Sequence, residues 1–390
     1  MNSEALKQER IQNLIDATSF REPKKVPIGI EILNWPFSYA NIRYADIMDD
    51  PIKTFEAYVQ FLDDIELDFL LGGMVSSPIN AIHEMGSYYY DLGSDGTSII
   101  HKQPEVEFME AEEYSDLIGD LDAFKNGLMR RRCKSLQLPR EQAYNKVIQA
   151  LGKIRPFVEA NDRIREFIFE EKGIAPLLGG PLHFLGPLSL LFDRYRGIRD
   201  TLLDLRRRPE MVKQACRIIL ADRLKPIKDL DPGDFSQPYP FGSVGYHVEC
   251  FLSPEMFDEY YFNHFKEAFL PFMEAGAKIF VKGEGSFINT LDRYRQLPKG
   301  SVIFMLDQDD PFEVYKVIGD WQTIGAGITG DLLQMGTKEQ CVDYVKQCFD
   351  TFAPGGGYIF IQNKPLLCPG DAKIENLLVV YEMANELSIK

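Results

Sequence analysis

The chain has 390 residues, 45% of them hydrophobic and 12% aromatic, enough for a full core and too apolar for a disordered polymer. Its 43 lysines and arginines face 59 aspartates and glutamates, a formal net charge of −16, which excludes nucleic acid and anionic membranes as expected partners. Met1 to Ile30 carries charges throughout without an apolar h-region, the longest apolar run, Ala175 to Phe192, is broken by glycines, prolines and His183, and the six cysteines form no CxxC, so the expectation is a reduced, cytoplasmic protein with no membrane span.

After a polar N-terminal helical extension, short apolar runs alternate with amphipathic segments. Strands are predicted at Val26–Leu33, Leu67–Gly73, Ile174–Pro181, Gly233–Tyr239, Ala277–Gly283, Ser301–Asp307, Thr323–Gly330 and Gly357–Asn363. Helices are predicted in Ser253–Gly276 and from Thr337, a Thr cap with Glu339 two residues on, to the glycine cluster ending at Gly357. Eight βα units fit an α/β fold of the (β/α)8 TIM barrel kind better than an open doubly wound sheet, in a single domain over 1–390. The polar, tyrosine-rich segment of about 76–140 breaks the rhythm and reads as an insertion on the carboxyl face of the barrel, or as a plain surface excursion.

Barrel chemistry sits at the carboxyl ends of strands, which places Glu31, Asn34, His183, Gln237, His247, Lys282, Glu284, Asp307, Gln308, Asp331 and Asn363 at candidate positions. The stretch "KIFVKGEGS", Lys278 to Ser286, concentrates the question, because an apolar strand ends in a lysine and a glutamate among glycines. Glu284 reads as a metal ligand or general base, or as a solvated loop carboxylate; Lys282 as an anchor for an anionic substrate, or as the partner that neutralises Glu284. His247, Glu249 and Cys250 within four residues offer the atoms a borderline-soft metal such as zinc takes, although further ligands must come from elsewhere. His183, in "GGPLHFLG", reads as a pocket-wall or core histidine. "GAGITG" (Gly325–Gly330) matches GxGxxG in letters but lacks the first βαβ unit, and no Walker A, HExxH, GxSxG or EF-hand loop is present.

Segments 23–72, 197–212, 251–262, 297–320 and 336–382, the last with its glycine turn and "DAKIENL", resemble the uroporphyrinogen decarboxylase superfamily, and within it the corrinoid-dependent methyltransferase and O-demethylase branch. The resemblance implies a (β/α)8 barrel that moves a methyl group from a small donor, such as a methoxylated aromatic, to a corrinoid held by a separate corrinoid protein, with zinc as a possible activator. On this reading Glu284, Lys282 and Asp307 are catalytic candidates. Glu31, Asn34, Trp35, His183, Gln237 and Asn363 are substrate-binding candidates, and Glu284, His247 and Glu249 are metal candidates. A homodimer is among the expected assemblies. Aromatic residues Trp35, Phe37, Tyr88 and Tyr89 would suit an aryl ring or serve as core.

The sequence also departs from the family pattern. "IEILNWPFSYANI" (Ile30–Ile42) carries none of the arginine-rich loop of true uroporphyrinogen decarboxylases. Lys282-Gly283-Glu284 stands where methanogen-type relatives have His-x-Cys, and Cys368 lies only roughly at the later cysteine. Glu284 matches the glutamate of the O-demethylase-like members, while Met305 occupies the place of their histidine, and a thioether is a poor zinc ligand. A decarboxylase or lyase of the same superfamily, and a metal-free binding barrel, are the rival readings.

Overall fold

A computed structural model describes residues 2–72, 78–101, 108–177, 182–235 and 240–389. Eleven strands are present among them: β1 (Gly29–Ile32), β2 (Phe69–Gly72), β3 (Tyr90–Leu92), β4 (Ile99–His101), β5 (Ala175–Pro176), β6 (His183–Leu185), β7 (Phe241–Tyr246), β8 (Lys278–Gly283), β9 (Val302–Met305), β10 (Thr323–Ala326) and β11 (Tyr358–Phe360). Apart from the antiparallel β3–β4 hairpin, every strand lies parallel to its neighbours, in a three-stranded sheet ordered β1-β2-β5 and a six-stranded sheet ordered β11-β10-β9-β8-β7-β6. Parallel bridges Ile28↔Phe360 and Ile32↔Leu366 lay the β1 segment beside β11, and an antiparallel bridge, Lys25↔Ile389, ties the start of that segment to the far end of the chain.

The joined order is strongly curved. Lys282 on β8 forms an ion pair with Glu31 on β1, four places away in that order. Strands about 4.8 Å apart in a flat sheet would hold these residues far out of reach. Side-chain alternation sorts the core accordingly. In β8, Ile279 and Val281 pack into the large cluster shared with the helices, whereas Phe280 joins a second cluster with Phe69, Phe241, Ile303, Met305 and Ile359 on the concave face. Lys282 comes two residues after Phe280 on that same face.

The N-terminal helix Ser3–Thr18 seals the amino ends of the strands: Ile11, Leu14, Ile15 and Ala17 belong to the concave-face cluster, and Gly357 N–H donates to the Ala17 carbonyl at 2.7 Å. Its Arg10 forms a buried ion pair with Asp68 at 3.2 Å. Thr337 caps the helix Lys338–Phe352, with Gln340 rather than Glu339 completing the capping box.

One expectation needs correction. The strand read at Gly233–Tyr239 is a single 3₁₀ turn over Pro232–Phe235, and the strand follows at Phe241–Tyr246; residues 236–239 lie outside the described set. Among its described residues, the segment of about 76–140 carries helices Ile79–Glu84, Tyr114–Gly119 and Leu121–Arg132 around the β3–β4 hairpin, and it leads into the 27-residue helix Arg140–Glu166. No helix among the described residues is long and apolar enough to cross a membrane.

Candidate active site

A cavity of about 670 Å³ opens at the carboxyl ends of the parallel strands. Its walls combine Glu31 (β1), His247 and Cys250 (after β7), Lys282, Glu284 and Gly285 (the end of β8), Met305 and Asp307 (the end of β9), Asp331 (after β10), and Asn363 and Lys364 (after β11). The concave face is apolar below and ionic at this level because Glu31, Lys282 and the residues that follow β7, β9, β10 and β11 bring charged and polar side chains to the rim.

Glycine makes the turn after β8 possible. A Cβ on Gly283 would fall 1.6 Å from the Phe287 ring and 2.4 Å from Glu249 Oε1, so a side chain there would collide with two neighbours. Gly285 takes φ +103°, outside the comfortable range of L side chains, and its N–H donates to Asp307 Oδ2 at 2.7 Å. The turn leaves Glu284 projecting, with its carboxylate largely exposed.

Opposite Glu284 stands His247. Its Nδ1–H donates to Asp193 Oδ2 at 2.6 Å, and its Nε2 faces Glu284 Oε1 at 4.0 Å. Burial alone would lower the imidazole pKa, but the Asp193 hydrogen bond and the charges of Asp193, Glu284 and Glu249 outweigh it, so the pKa is raised. Asp193 was not among the residues flagged from the sequence. It lies in a single π-type turn, Leu191–Tyr195, and such widened turns often carry functional groups. Two contacts brace the pair: Tyr89 Oη–H donates to the Asp193 carbonyl at 3.0 Å, and the His247 N–H donates to Ser189 Oγ at 3.2 Å. Ser189 Oγ in turn shares a 2.7 Å hydrogen bond with the buried Tyr261 hydroxyl.

The remaining candidates divide. Glu31, Lys282, Glu284, Asp307, His247 and Asn363 meet at the cavity. Lys282 neutralises Glu31 across the mouth instead of Glu284 beside it, and Lys364 Nζ stands 3.4 Å from Asp307 Oδ1. The Asn363 amide is committed to the wall: Nδ2–H donates to the Asp307 carbonyl at 2.9 Å and Oδ1 accepts from Gly330 N–H at 2.9 Å. Glu249 lies beneath the cavity, 4% exposed, with Oε2 accepting from Val248 N–H and Oε1 without a hydrogen-bond partner among the described residues. Burial raises its carboxyl to about 8.

Trp35 and Asn34 are not cavity residues. Trp35 opens the short helix Trp35–Tyr39 and packs edge-on against Phe61 in the core, 1% exposed, because that face of the helix is the apolar one. Asn34 is its half-buried flanking residue. Phe37 is buried and Tyr88 is exposed against His83, so the aromatics that line the cavity are Phe192 and Phe251. His183 sits on β6 in register with Ser243, its Nδ1 2.6 Å from Ser243 Oγ, three residues below the level of Tyr246 and the cavity. Gln237 lies outside the described residues.

A structural zinc needs four donors and a catalytic zinc at least three from the protein. Among the described residues no group of three or more His, Cys, Asp or Glu side chains is placed to hold a metal ion. His247 and Glu284 face each other, but Glu249 is turned under the floor and Met305 offers a thioether, so the residues as placed do not fit a zinc site.

Fold and cavity together define a parallel-stranded α/β protein with an ionic pocket at the carboxyl ends of its strands. The chain matches no protein-family model and no curated protein. In structure it is similar to a methyltransferase from Methanosarcina mazei, with a TM-score of 0.56, 11% sequence identity, and coverage of 97% of this chain and 98% of that chain. At that identity the likeness is one of fold.

Proposed function

We propose that this chain is a single-domain (β/α)8 barrel of the uroporphyrinogen decarboxylase type. In this reading β5 and β6 are two parts of one stave, closing the curved sheet against β2 on one side and β7 on the other. It works in the cytoplasm as a methyltransferase, taking a methyl group from a small donor, such as a methoxylated aromatic, and delivering it to a corrinoid carried by a separate protein. The observation that carries the reading is the Asp193–His247 pair facing Glu284 inside an open cavity at the strand ends. The full-length fold likeness to a methyltransferase supports it.

A corrinoid, when bound, supplies a cobalt(I) nucleophile. The residues of this chain supply the rest. As the C–O bond of the donor breaks and its electron pair moves to oxygen, His247 Nε2–H gives that oxygen a proton, so the leaving group departs as a neutral hydroxyl compound. Asp193 fixes the ring with Nε2 toward the cavity and favours the charged form of the imidazole. Glu284, at the solvent side, relays a proton from water to Nε2 between turnovers. Phe192 and Phe251 offer apolar walls for a donor ring, and the exposed Phe251 and Leu367 at the mouth offer apolar surface to the flat face of a macrocycle. No step is routed through a protein-bound metal.

The test incubates purified protein with cob(I)alamin and a panel of methoxylated aromatics while the cob(I)alamin absorbance is followed. Consumption of cob(I)alamin together with release of the demethylated phenol is expected, and Glu284→Gln should slow it on the order of a hundredfold. No transfer with any donor rejects the reading, and carbon dioxide release from a carboxylated substrate would replace it with the lyase.

A further inference from the structure

The helix Arg140–Glu166 has two apolar faces where a surface helix needs one. The first is used within the fold: Ala150, Phe157, Ala160 and Ile164 are buried against the body of the protein. The second, nearly opposite, carries Tyr144, Ile148, Leu151 and Val158, which are 63%, 48%, 53% and 50% exposed. Their spacing of four, three and seven residues puts them on one stripe. A row of large apolar side chains facing water on a single helix marks an association surface.

We infer that this stripe is the interface of a homodimer in which two copies of the helix pack antiparallel about Leu151. The stripe is self-complementary under that reversal. Tyr144 and Val158 lie seven residues to either side of Leu151 and would face each other twice. Arg140 and Asp162 lie eleven residues to either side, carry opposite charges, and would also meet twice. Such reciprocal pairing is what a twofold axis requires, whereas an unrelated partner has no reason to match it.

The wider charge distribution points the same way. On a chain with a net charge of −16, this helix carries six basic and four acidic residues, and Glu84 pairs with both Lys146 and Lys153, so its surface is close to neutral. Two copies therefore repel least when they approach through it. The surface lies on the segment between β2 and β5, and none of its residues line the cavity, so the dimer leaves the strand ends open.

The test is sedimentation equilibrium of the full chain. Wild-type protein should sediment as twice its 44.6 kDa monomer. Leu151→Glu should yield monomer with an unchanged circular dichroism spectrum, because the side chain it replaces is exposed. Arg140→Asp or Asp162→Arg alone should weaken association by about tenfold or more, and combining them should restore it. A monomeric wild type, which would leave the stripe to a different protein, overturns the proposal. So does a dimer indifferent to Leu151→Glu, or a double reversal that fails to recover association.

Discussion

At the scale of single residues, the cavity turns on a pair that no motif announces. His247 was legible because it follows a strand and stands beside Glu249 and Cys250. Asp193 was not, because it sits in the apolar run "LSLLFDRY", away from every strand end, and reaches His247 only through the geometry of a π-type turn. The available signal was a lone aspartate within that apolar segment. If Asp193 holds His247 charged, Asp193→Asn should lower the imidazole pKa, seen as a shift of its ring-proton NMR titration to lower pH, and should move the acid-dependent limb of any rate profile with it. An unshifted titration would leave Asp193 as a packing residue. The reading of Lys282 as the neutraliser of Glu284 fails because Glu284 lies past the end of β8, on the glycine turn, where it faces His247, and Lys282 instead finds Glu31 across the mouth.

At the scale of elements, β8 shows what alternation makes visible and what it hides. Its pattern of Ile279 and Val281 against Phe280 and Lys282 could be read from letters alone, and so could the location of the site at its end. β7 could not. "FGSVGY" contains two glycines and a serine, weak strand formers, and the strand was read instead in the preceding "GDFSQPY", which is in part a 3₁₀ turn. The glycines are needed for close packing, which a propensity scale counts against a strand. The turn after β8 yields a sharp test. Gly283→Ala must displace the Phe287 ring and Glu249 together, so it should destabilise the protein by about 2 kcal/mol in chemical denaturation, with Phe287→Ala in the same chain recovering part of the loss. An equal and additive loss in the double variant would show that the two do not press on one another.

For the whole molecule, burial lowers the pKa of His183 and His264, which therefore add stability as pH rises toward 6.5, and above that value two other groups set the direction of the response. Glu249 has its carboxyl raised from 4.5 to about 8, so the folded state prefers it uncharged, and ionisation erodes stability as pH climbs between those values. His247 is raised above 6.5, so its contribution is fully present below that value and fades as pH rises through the higher folded one. Both act in the same sense. The thermal midpoint should fall across roughly pH 6.5 to 8, and Glu249→Gln should flatten most of that slope. A midpoint that rises over this interval would contradict the burial of an uncompensated carboxyl. Outside the segment of about 76–140 and the misplaced strand before β7, the alternation of strands and helices was evident from the sequence. How far the sheet bends was not, since curvature is expressed in contacts such as Lys282 with Glu31, which lie 251 residues apart.

The tie between Lys25 and Ile389 and the pairing of Ile28 with Phe360 have a bearing on how the polypeptide is made. A ribosome releases β1 more than 300 residues before β11, the neighbour that β1 needs on one side. Until then the concave face, and the N-terminal helix that stoppers it, have an incomplete wall to pack against, and an apolar strand edge stays open while most of the chain is still emerging. Closing the curved sheet therefore requires a contact of long sequence separation, the kind that slows folding and prolongs the exposure of an open strand edge.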